Sequence, residues 1–92
     1  MDCPAIVFLI VWGFVQGVGF RFAVERAAQS RGVAGWVQNR PDGTVEAVFE
    51  GELQDVEALV DFCREGPRGA GVDHLDVAAE SPEGLAGFRV AG

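Results

Sequence analysis

Residues 13–21 read Gly-Phe-Val-Gln-Gly-Val-Gly-Phe-Arg and lie between an apolar run and a segment rich in helix formers. Gly17 and Gly19, on either side of Val18, let the backbone curl so that successive N–H groups converge on one point. With the positive end of a following helix, those groups make a cradle for an anion. Arg21 at the loop's exit adds a full charge and a planar fork that matches two oxygens of a phosphate or carboxylate. A cation is disfavoured at a helix N-terminus, so its placement there suits an anion ligand better than a cap. The stretch has no Gly-Lys-Ser/Thr, so it is not a Walker A loop, and the dinucleotide fingerprint needs a parallel βαβ setting. By generic physics it is either an anion site or a tight structural turn.

Few other residues carry chemistry. Asn39, just before Arg40-Pro41, reads on its own as an ordinary turn residue. His74 is the sole histidine and has no nucleophile or ligand set beside it, which makes it a strand residue rather than a catalytic base. Cys3 and Cys63 are far apart and lack metal-ligand spacing, and they read as a terminal thiol and a buried apolar residue. No metal and no cofactor is expected.

The elements that must position the loop follow from periodicity. Ala5–Trp12 is a continuous apolar run with β-branched and aromatic residues, which favours a central strand. Phe22–Arg31 reads as a helix ended by Gly32. Gly35–Asn39 and Thr44–Glu50 are short strands around Arg40-Pro41-Asp42-Gly43, a hairpin connection. Leu53, Val56, Leu59, Val60 and Cys63 share one face of a second helix, which Gly66-Pro67 stops. Val72–Ala79 is a further strand and Gly87–Val90 a short last one. The order β-α-β-β-α-β, with two helices on one face of a four-stranded antiparallel sheet plus a short terminal strand, is the ferredoxin-like α/β sandwich of the α+β class.

With that frame in place, Gly13–Arg21 resembles the first signature of the acylphosphatase family, G-x-V-Q-G-V-x-F-R. Gly35-Trp36-Val37-Gln38-Asn39, followed by Gly43, Val45 and Gly51, is similar to the second, G-[FYW]-[AV]-x-N-x(3)-G-x-V-x(5)-G. The resemblance continues through Gly66-Pro67 and Val72-Asp73 into Gly87-Phe88 and spans nearly the whole chain. It implies hydrolysis of acyl phosphates, the mixed anhydrides of a carboxylic acid and phosphate. Arg21 would bind the phosphate, together with the loop N–H groups of Gln16, Gly17, Val18, Gly19 and Phe20, so phosphate or sulfate should occupy the loop. Asn39 would position the attacking water.

One departure stands out. Ile6, Phe8, Ile10, Trp12 and Phe14 fall on one face of the first strand, and the family register turns that face away from the helices. Family members usually carry polar or basic residues at several of these positions. Five apolar residues in a row suggest a contiguous patch that buries a second copy of the chain or a small apolar ligand. The competing reading keeps the scaffold without the chemistry: a non-catalytic or engineered binding or self-association module that uses this face.

Ninety-two residues bound one domain, 1–92, with one core. Seven Lys and Arg against fourteen Asp and Glu leave a formal −7, which argues against nucleic acid or an anionic membrane as the partner. The Ala5–Trp12 run is too short to span a bilayer and has no basic flank of the secretory kind. With its sparse cysteines, the chain is expected in the cytoplasm.

Overall fold

Alternation along the first apolar run puts Val7, Leu9 and Val11 on one side, and that side meets the helices. The computed structural model describes residues 4–91. These form β1 (Pro4–Phe14), α1 (Phe20–Ser30), β2 (Ala34–Asn39), β3 (Val45–Glu52), α2 (Leu53–Glu65), β4 (Gly71–Glu80) and β5 (Phe88–Val90). The sheet runs β4-β1-β3-β2-β5. Its first four strands pair antiparallel, and β5 adds to the outer edge of β2 in parallel. This is the expected ferredoxin-like arrangement, with the terminal strand as a fifth member of the sheet. Cys3 lies outside the described residues.

The core fills the space between the sheet and the two helices. Leu9, Val11, Val37, Val45, Ala47 and Phe49 project from the sheet; Phe20, Val24 and Ala28 come from α1, and Val56, Leu59 and Cys63 from α2. The spacings i, i+4, i+8 and i, i+3, i+7 place each helical set on a single stripe. Each of the larger side chains stabilises the fold by roughly 1.5–3 kcal/mol through burial. Burial also pushes the Cys63 thiol up to about 12, so Cys63 is the inert apolar residue expected. Leu53 departs from its expected place on the buried stripe: as the first residue of α2 it lies at the open edge of a groove with Val7, Val56 and Val77 and is exposed. Between the strands, Gly35 has φ +138, and a Cβ there would overlap the Val48 carbonyl oxygen. The β2–β3 pair closes only because that position has no side chain.

The open face of the sheet differs from the expected apolar stripe. Ile6 is only 2% exposed and Val48 is buried as well. The 81–87 segment crosses this end of the face, where the N–H groups of Glu83, Gly84 and Leu85 donate to the Glu50 carboxylate at 2.9, 2.8 and 2.7 Å. Glu50 sits directly across from Ile6. Ile10 is flanked by Glu46 on β3 and Asp76 on β4. Trp12 packs against the His74 ring at 5.1 Å between centroids. Only Phe8 has apolar neighbours on both sides, Val48 and Ala78. Phe14, 66% exposed, stands apart at the strand's end. The apolar stripe is therefore covered at Ile6 by a crossing segment and bordered by carboxylates at Ile10.

Candidate active site

Val15 and Phe20 are both buried in the core, and the chain arches between them with Val18 packed against the core and Gly17 and Gly19 exposed. Gly17 (φ 76) and Gly19 (φ 75) take the left-handed conformation that the arch requires. Helix α1 starts directly after Gly19, two residues earlier than the periodicity suggests, because this left-handed glycine is itself the N-cap. Ala23 N–H donates to the Gly19 carbonyl at 3.0 Å and closes the first turn. That turn carries no acidic residue to offset the positive end of the helix. Among the described residues, no backbone carbonyl accepts the N–H groups of Gly17, Val18 or Gly19. Arg21 lies in the same first turn, half-buried, with its guanidinium carbon 5.9 Å from the centre of the Phe22 ring.

Asn39 ends β2 opposite Val45. It shares the helix-facing side with Val37, by the two-residue alternation of the strand. Its Oδ1 is buried and has no hydrogen-bond partner among the described residues. A buried acceptor left in that state is costly unless something donates to it. The turn that follows is firmly built. Asp42 accepts from Thr44 N–H at 3.1 Å and from Thr44 Oγ1 at 2.6 Å. The Thr44 hydroxyl and N–H, helped by the Arg40 charge, hold the Asp42 carboxyl below its usual range.

The loop and the strand end are joined by a side chain. Gln16 Nε2 donates to the Arg40 carbonyl at 2.8 Å and to the Thr44 carbonyl at 2.9 Å. The fold thus brings Gln16, Gly17, Val18, Gly19, Phe20 and Arg21 to the end of the sheet where Asn39 sits. Ile6, Phe8, Ile10 and Trp12 lie on the opposite face and take no part. The Gln16 side chain is the contributor that the sequence hides, since its partners are main-chain carbonyls with no signature of their own. Among the described residues, no group of three or more His, Cys, Asp or Glu side chains could hold a metal ion, and no helix is long and apolar enough to cross a membrane.

An arched row of backbone amides at a helix N-terminus, with an arginine in its first turn, sits on a ferredoxin-like domain. The acylphosphatase family profile matches residues 7–90, and the chain belongs to that family. The acylphosphatase of Thermococcus kodakarensis is 54% identical over 84 residues, covering 91% of this chain and 92% of its own length. That of Gloeobacter violaceus is 60% identical over 82 residues, covering 87% and 88% respectively. The crystal structure of acylphosphatase from Bacillus subtilis superposes with a TM-score of 0.92 at 37% identity, covering 96% of this chain and 99% of that one.

Proposed function

We propose that the 16–21 loop and Arg21 hold the phosphoryl group of an acyl phosphate while Asn39 orients the water that attacks it. The chain is a hydrolase of acyl phosphates by family, and the chemistry explains why so small an inventory suffices. The leaving group is a carboxylate whose conjugate acid has a pKa of about 4, so it departs at neutral pH without a general acid. What remains is to hold the phosphoryl group, stabilise charge on its equatorial oxygens and align water opposite the leaving oxygen. Loop amides and a guanidinium supply the first two, and a fixed acceptor supplies the third. The observation that carries this reading is the buried Oδ1 of Asn39, an acceptor without a partner among the described residues, at the strand end that Gln16 ties to the loop.

The same amides should bind inorganic phosphate or sulfate, so the product is expected to inhibit competitively. The sparse cysteines fit a cytosolic setting. Self-association through the open face, expected from the β1 stripe, loses support where Ile6 is covered and Ile10 is bordered by two carboxylates. The test is phosphate release from acetyl phosphate in the presence of a chelator. Turnover well above the spontaneous rate is expected, and a rate equal to the uncatalysed one refutes the reading.

A further inference from the structure

Gln16 differs from its neighbours in the loop because its side chain, and not only its N–H, is committed. A primary amide has two N–H donors, and here they reach the carbonyls of Arg40 and Thr44, 24 and 28 residues away in sequence. Those carbonyls frame the turn that begins immediately after Asn39. Arg40 N–H donates to the Thr44 carbonyl at 2.9 Å, and Gly43 N–H to the Arg40 carbonyl at 3.1 Å. Two bonds from one planar group fix its position and its plane together. The loop they hold contains two glycines, the residue with the most backbone freedom to lose. One amide therefore spans from the flexible amide cradle to the strand end that carries the unpartnered Asn39 oxygen.

We propose that the Gln16 side chain is a positioning residue for hydrolysis: it sets the separation between a phosphoryl group in the cradle and the water held by Asn39. This rests on the acyl phosphate reading given above. In-line attack tolerates little error, and a displacement of about 1 Å costs on the order of 100-fold in rate. Capture of the phosphate by the loop amides and Arg21 does not depend on that separation. Turnover and binding should therefore respond differently when the bridge is removed.

The test is Gln16→Met, similar in size and without donors, assayed with acetyl phosphate and with inorganic phosphate as the inhibitor. The expected result is a kcat lower by about 10- to 100-fold, with KM and the phosphate inhibition constant within about threefold of wild type. A double variant with Asn39→Ala should be no slower than Asn39→Ala alone within about twofold, because a water with no holder has no position to lose. Unchanged kcat in Gln16→Met overturns the proposal. So does phosphate binding that weakens as much as kcat falls, or losses that multiply in the double variant. Should Gln16→Met fail to fold by circular dichroism, Gln16→Leu is uncharged, also lacks donors and carries the same expectations. Failure of both to fold makes Gln16 a brace for the fold and overturns its positioning role. An inactive wild type refutes the acyl phosphate reading itself, whereas an active wild type with a fully active Gln16→Met refutes only this inference.

Discussion

Replacing Asn39 with alanine should make the protein slower without making it weaker. The buried Oδ1 has no partner among the described residues, and an acceptor in that state costs about 1–3 kcal/mol. Alanine removes that cost and loses the burial of about one carbon, worth about 0.8 kcal/mol. The net change is thus about 0–2 kcal/mol in favour of the variant. For a domain of this size 1 kcal/mol shifts Tm by about 4–8 °C, so the variant should melt at the same temperature or several degrees higher. Turnover moves the other way. With the water no longer held, kcat should fall about 100-fold, equivalent to about 2.7 kcal/mol of lost transition-state stabilisation. KM should stay within about threefold, since the loop amides and Arg21 are untouched. Thermal unfolding followed by circular dichroism and phosphate release from benzoyl phosphate read the two effects separately. A Tm lower by about 5 °C or more, with turnover within about threefold of wild type, would make Asn39 a turn residue and refute the reasoning.

Arg21→Ala removes a guanidinium able to make two charge-assisted hydrogen bonds, each worth about 1.5–3 kcal/mol. Its kcat/KM for acetyl phosphate should fall by about 10²- to 10⁴-fold, and a loss below tenfold contradicts the assignment. Glu50 is held below its ordinary value of 4.5 by the N–H groups of Gly84, Leu85 and Glu83. A depressed carboxyl contributes stability above its unfolded pKa and loses it as pH falls through the folded one. Glu50→Gln should therefore be less stable than wild type at pH 7, with the gap closing on acidification below about 4.5; urea midpoints from pH 7 to 3 check this, and a gap that widens in acid refutes it. Gly35→Ala forces a side chain into φ +138 and against the Val48 carbonyl. It should cost more than about 2 kcal/mol, visible as a lower urea midpoint, and near-wild-type stability would contradict the close approach described.

The strands and helices were legible because their patterns are local. The alternation of Val7, Leu9 and Val11 and the Val56-Leu59-Cys63 stripe each mark a buried face without reference to the rest of the chain. The start of α1 was misplaced by two residues because its cap is a left-handed glycine with no side-chain signal. The burial of Ile6 was not legible, since it depends on three N–H groups that approach Glu50 from 33, 34 and 35 residues away. Arg21 was marked as a candidate anion ligand by its place at the exit of the glycine loop, whereas only the resemblance of two long motifs to a family raised Asn39 above a turn residue. The Gln16 bridge was invisible for a related reason: any residue offers a carbonyl, so nothing in the sequence marks Arg40 and Thr44 as its partners.

The clasp of Glu83, Gly84 and Leu85 around Glu50 has a consequence for how this acidic chain meets anions. Three consecutive main-chain N–H groups around a carboxylate form a receptor of the same kind as the arch before α1, built with no basic side chain. Its guest belongs to the same polypeptide, so it stays at the site at a fixed effective concentration however dilute the protein is. The backbone of this molecule has thus made two anion receptors. It has closed one from within, and the other is the one we propose for the substrate.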